Sequence, residues 1–123
     1  MRVLVCGGRE FFDRELLHKI LVDFIDEKDF NIISGGATGA DTLAVKWAQA
    51  HNVPFKVFPA DWKSDGRAAG PIRNKRMLEE GSPDIVIAFP GGKGTQNMIR
   101  QARNARVKVR VIQPESNAEE SVA

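Results

Sequence analysis

Three short loops hold eight of the eleven glycines in this chain, and each also carries side chains suited to an anion. They are Gly7-Gly8-Arg9, Ser34-Gly35-Gly36-Ala37-Thr38-Gly39 and Pro90-Gly91-Gly92-Lys93-Gly94-Thr95. Glycine lets main-chain N–H groups close on a phosphate, and in ordered structure it costs roughly 0.5–1 kcal/mol against alanine. Three such clusters at equivalent points therefore read as a site. Thr95 can add a hydroxyl where a helix dipole favours an anion. Arg9 supplies a guanidinium, which grips phosphate through two parallel bonds. Ser34 and Thr38 can bond phosphate or ribose hydroxyls. Asp41, near a helix start, can bond ribose or simply complement the helix dipole.

A second group is cationic. Lys63, Arg67, Arg73, Lys75 and Arg76 fall within one fourteen-residue stretch, just after Asp61-Trp62. Trp62 or Asn74 could meet a base while Arg67 and Arg73 neutralise phosphate. Gly66 and Gly70 loosen this connection, and Arg73 and Arg76 lie one helical turn apart. Plainer readings stand beside these: Trp62 as packing, the arginines as a solvated helix face, Thr95 as a helix cap. Catalytic groups are scarce, and the candidates are Asp41, Asp61 and Arg73. Cys6, alone in an apolar run, reads as packing, and His51 as a helix-end residue. The sequence has neither a Ser-His-Asp arrangement nor metal-ligand spacing, so no metal is expected.

The elements that must position these loops follow from the apolar pattern. Valine-rich Arg2–Cys6 reads as a buried strand, and Asp13 as the cap of a helix over 14–28. Strands are expected over 30–34, 53–58, 84–89 and 107–112. Further helices are expected over 39–51, from Pro71 to Gly81, and over 95–105, with 59–70 as a long connection. Four β-α units closed by a strand predict a single α/β domain: a five-stranded parallel sheet with helices on both faces. Strand order 3-2-1-4-5 puts the direction change between strands one and four, where open sheets bind ligands beyond the strands' carboxyl ends. Residues 113–123 are polar and acidic and read as a disordered tail after a domain spanning 1–112.

Bulk composition narrows the class. A chain of 123 residues with 42% hydrophobic and 28% charged residues fits one ordinary globular domain. The net charge of +2 is too small to argue for a nucleic-acid partner. No stretch approaches a transmembrane helix, and Met1–Cys6 reads as a strand rather than a signal peptide, so a cytoplasmic protein is expected.

Taken in order, these motifs resemble the YspA-like branch of the SLOG superfamily. The likeness rests on Gly7-Gly8-Arg9 with Phe11 and Asp13, Ser34-Gly35-Gly36-Ala37 with Gly39-Ala40-Asp41, Pro59-Ala60-Asp61-Trp62, Ala69-Gly70-Pro71-Ile72-Arg73-Asn74, and Phe89 through Thr95. It covers about residues 1–112. The resemblance implies a Rossmann-like fold and a nucleotide or NAD-derived ligand, with no firm cofactor. Since relatives often pair, it also makes a homodimer a possible assembly. Enzymes that cleave cytokinin nucleoside monophosphates to base and ribose phosphate share the pattern P-G-G-x-G-T-x-x-E. Pro90 to Thr95 match it, but the acidic position falls on Met98, preceded by Asn97. That departure removes the carboxylate expected to assist glycosidic cleavage. Another relative, the DNA-processing protein of natural transformation, binds single-stranded DNA on a similar fold, but this chain lacks the expected positive excess. The sequence therefore predicts nucleotide binding, with N-glycosidase activity and single-stranded nucleic-acid binding as alternatives.

Overall fold

The computed structural model describes residues 1–114. Five strands, β1 (Arg2–Cys6), β2 (Asn31–Ser34), β3 (Phe55–Val57), β4 (Ile85–Ala88) and β5 (Lys108–Val111), form one parallel sheet in the order β3-β2-β1-β4-β5. The expected topology is therefore the observed one. Of the expected tail, residues 115–123 lie outside the described residues, and Gln113 and Pro114 are irregular.

Side chains alternate across each strand, so one strand feeds two cores. Val3, Val5, Ile32, Ile85 and Ile87 point to one face, where α1 (Arg14–Leu21) and α2 (Ala40–Ala50) cover them. Leu4, Cys6, Ile33, Val86 and Ala88 point to the other, under α4 (Ala69–Gly81) and α5 (Lys93–Asn104). The central strands β1 and β4 are buried on both sides, which explains why they read as continuous apolar runs. The edge strands β3 and β5 are largely exposed. On the first face Trp47 is buried, and its Nε1 donates to Nδ1 of His18 at 2.9 Å. The His51 ring stacks on the same indole at 4.2 Å.

Helix boundaries depart from the sequence expectation in ways local chemistry explains. The Asp13 carboxylate does cap α1, accepting the Leu16 N–H at 3.0 Å. The regular helix ends at Leu21 rather than Lys28, and Val22–Phe24 tighten into a 3₁₀ turn. There the Phe24 ring turns back to stack on Phe30, and Asp29 adopts a positive φ of 56° that redirects the chain into β2. The connection expected over 59–70 contains one helical turn, α3 (Trp62–Asp65), followed by a 3₁₀ turn at Gly66–Ala68. Helix α4 starts at Ala69, ahead of Pro71, because proline lacks only an N–H that the first turn leaves unbonded anyway. Helix α5 starts at Lys93, so Thr95 lies inside its first turn and Gly92 occupies the cap position.

Candidate functional site

Gly8 ties the loops together beyond the carboxyl ends of β1 and β4. Its N–H donates to the Pro90 carbonyl at 2.8 Å. Its own carbonyl accepts from Ala40 at 3.1 Å and from Phe11 at 3.2 Å. All three glycine loops therefore meet at one residue. Two glycines make this contact possible. At Gly39, φ is +87°, and an added Cβ would strike the Gly8 carbonyl and Arg9. At Gly91, a Cβ would meet the Gly8 nitrogen at 2.6 Å and the Thr95 hydroxyl.

A crevice of about 950 Å³ opens above this junction. Its walls include Gly8 and Arg9 after β1, Asp41 at the start of α2, and Pro90 through Thr95 before and within α5. Trp62, Arg67, Gly70, Arg73 and Asn74 close it from the α3–α4 side. A smaller hollow of about 300 Å³ shares Arg9, Trp62 and Arg73 and adds Gly35, Gly36 and Thr38. Three expected site residues line neither space. Ser34 is buried behind the loop, where its hydroxyl donates to the Asp41 carbonyl at 3.1 Å and accepts the Gly36 N–H at 3.2 Å. Gly39 serves the junction. Asp61 caps α3 through the Ser64 N–H at 3.0 Å. Asp61→Ala should accordingly cost about 0.5–1 kcal/mol of stability, read by denaturant titration, and leave ligand affinity nearly unchanged.

The loops differ in how many amides they leave open. In the second loop, Gly36 donates to Ser34, Ala37 to the Asp41 carboxylate at 3.1 Å, and Ala40 to Gly8. In the third loop no cap side chain serves Gly92, and the first backbone bond within α5 runs from Gln96 to Gly92 at 3.0 Å. Among the described residues, the amides of Lys93, Gly94 and Thr95 have no protein acceptor. They face the crevice at a helix N-terminus, a ready anion site.

The family model for the YspA, cpYpsA-related SLOG family matches residues 1–64. Gene 61 protein of Mycobacterium phage D29 is 35% identical over 117 residues, covering 88% of this chain and 93% of that protein. The chain belongs to the YspA, cpYpsA-related SLOG family.

Within this SLOG domain, electrostatics distinguish the polar residues of the crevice. Asp41 is only 6% exposed. Burial pushes its carboxyl up from an ordinary 3.8 to about 6, against the opposing pull of the Ala37 N–H, Arg73 and Arg9. The folded state thus holds this proton more tightly than the unfolded chain does. The stabilisation it gives is full below pH 3.8 and is lost as pH rises through about 6. Asp41→Asn should keep an acceptor for Ala37 while removing the buried charge. We expect this variant to gain about 1–2 kcal/mol above pH 7 and to flatten the stability profile between pH 4 and 6, measured by urea titration across pH. A profile unchanged from wild type would refute the burial argument. Cys6 forms part of the crevice floor, where burial pushes its thiol up and keeps it protonated and poorly nucleophilic.

Arg73 is held by two bonds. Its Nη1 donates to the Gly35 carbonyl at 2.6 Å and its Nε to Oδ1 of Asn74 at 3.1 Å. Burial lowers its basicity, and Asp41 partly restores it. Asn74 is itself buried and donates to Oδ1 of Asn97 at 3.0 Å and to the Gly94 carbonyl at 3.3 Å. Gln101 donates to the same Asn97 oxygen at 2.7 Å. This amide chain fastens the first turn of α5 to α4. Arg9 lies over the Trp62 ring at 5.6 Å.

Several crevice residues were not among the expected site residues, two of them polar and on α5. Asn97 and Arg100 line the wall one and two turns into α5. Their spacing from Lys93 was the available signal, since positions three and four apart share a helix face. Met98, the acidic position of the cleaving relatives' pattern, is fully buried in the core beneath α5.

Proposed function

We propose that this SLOG domain binds a nucleotide or nucleotide-derived small molecule, with its phosphate on the amides of Lys93, Gly94 and Thr95. The open amide triplet at the N-terminus of α5 carries this reading. Arg9, Arg73 and Arg100 bring positive charge to the same crevice, and Arg67 and Lys93 add to it at the rim. Trp62 is half exposed at the mouth and supplies a face for a base. Asp41 accepts a ribose hydroxyl. The second glycine loop also acts on the ligand indirectly: its Gly36 and Ala37 amides are engaged, and its Gly35 carbonyl holds Arg73. Calorimetric titration with a panel of nucleoside mono- and diphosphates and NAD-derived compounds tests the proposal. Saturable binding that inorganic phosphate displaces is the expected result. Folded protein that binds no member of the panel would overturn it.

Asp41 carries a second reading, hydrolysis of an N-glycosidic bond. Its carboxyl, buried in the crevice and half-protonated near pH 6, can donate or accept a proton under mild conditions. Release of free base from nucleoside monophosphates, lost in Asp41→Asn, is the result this reading requires. No release above that variant's background would leave binding as the function.

A further inference from the structure

We propose that Asn97 reads a second phosphate, so that the molecule held in the crevice carries a diphosphate laid along α5. This rests on the nucleotide reading above and narrows it to one ligand chemistry. The hydrogen bonds around Asn97 fix which end of its amide is left for a ligand. Asn74 gives its oxygen to Arg73, which can only donate, so its Nδ2 is turned to Asn97 and the Gly94 carbonyl. Gln101 turns its Nε2 to the Pro71 carbonyl at 3.0 Å, which can only accept. Both neighbours therefore bring N–H groups to Asn97, and its single oxygen takes both. Nδ2 of Asn97 has no acceptor among the described residues. The residue is half-buried and lines the crevice, so a fixed pair of donors is what it offers there.

Lys93, Asn97 and Arg100 fall at i, i+4 and i+7, on one face of α5, and all three line the crevice. From the open amides through Asn97 to Arg100 the donors run along about 10 Å of helix. No carboxylate interrupts them, because α5 has none. One phosphate is too short for such a row. Sugar hydroxyls and base edges mix donors with acceptors, whereas linked phosphates present acceptor oxygens alone. Charge points the same way. Five lysines and arginines line the crevice against two carboxylates, Glu10 and Asp41. A single phosphate ester, at about −1.5 to −2, leaves part of that excess unmatched, and a second linked phosphate meets it. Arg100 is exposed and forms no ion pair among the described residues, so its guanidinium is free for the outer phosphate. The crevice, at about 950 Å³, has room for the longer ligand.

Calorimetric titration of the full chain with inorganic pyrophosphate and with inorganic phosphate tests this, the ratio of the two affinities being the readout. Wild type should prefer pyrophosphate by at least about ten-fold, the worth of one added charge-assisted bond, and should prefer ADP to AMP similarly. In Asn97→Asp the oxygens still accept from Asn74 and Gln101, but the free donors are replaced by negative charge. This variant should bring the ratio close to one, and Arg100→Gln should lower it. In wild type the side-chain amide NMR signal of Asn97 should shift with pyrophosphate and stay in place with phosphate, which reads the contact without a substitution. Equal affinity for the two probes in wild type, an unchanged ratio in Asn97→Asp, or an Asn97 signal that pyrophosphate does not move would overturn the second phosphate and leave the nucleotide reading standing. AMP bound more tightly than both ADP and NAD would overturn it too. ADP ahead of NAD would make the diphosphate terminal, and NAD ahead of ADP would make it internal, each in support. Binding of neither inorganic probe nor any nucleotide would overturn both readings together.

Discussion

Arg73→Ala is expected to weaken nucleoside phosphate binding by about 10–100-fold, the range for one charge-assisted hydrogen bond of roughly 1.5–3 kcal/mol. The guanidinium is already oriented, fixed by the Gly35 carbonyl and by Asn74. A pre-oriented cation spends little entropy on meeting a ligand, so its removal should appear mainly as faster dissociation. Arg73→Lys should fall between, since it keeps the charge but loses the planar fork. A second readout separates electrostatics from damage to the fold. Arg73 lowers the Asp41 carboxyl against the pull of burial, so Arg73→Ala should move the Asp41 titration above its value of about 6. Isothermal calorimetry and carboxyl NMR titration measure the two effects. Unchanged affinity together with an upward shift would place the phosphate away from Arg73.

Gly39→Ala should cost about 3–4 kcal/mol, a melting temperature lower by roughly 10–15 °C. At φ +87° an L side chain is strained, and its Cβ would press on the Gly8 carbonyl and Arg9. The damage should spread, because Gly8 joins three loops. Gly92→Ala is the control. Gly92 has a negative φ, and its added Cβ would meet nothing within 4 Å. Its stability should change by less than about 1 kcal/mol. Equal losses in the two variants would mean that the junction carries no special strain.

Much of this was legible in the chain, for identifiable reasons. Central strands in a parallel sheet are buried on both faces, so Val3 to Cys6 and Ile85 to Ala88 declare themselves as unbroken apolar runs. Asp13 was readable as a cap because capping is a local bond. What escaped was set by distant partners. The end of α1 depends on Phe24 meeting Phe30, and nothing in a helical period records that contact. The same limit applies at the candidate site. All three glycine loops look alike as sequence, yet only hydrogen bonding across the fold shows which amides are spent. Ser34 and Asp41 occupy the Gly36 and Ala37 amides of the second loop, while the first turn of α5 keeps its own open. Asp61 looked like a crevice carboxylate because of its neighbours, but its nearest donor is the Ser64 N–H.

The two tryptophans also make the molecule self-reporting. The chain has no tyrosine, so its emission beyond the weak phenylalanine band comes from Trp47 and Trp62 alone. Trp47 is 7% exposed and bonded to His18, whereas Trp62 is 50% exposed at the crevice mouth. Acrylamide should quench the second and spare the first. Emission at the red edge then follows occupancy of the crevice, and emission at the blue edge follows unfolding, without a label on either.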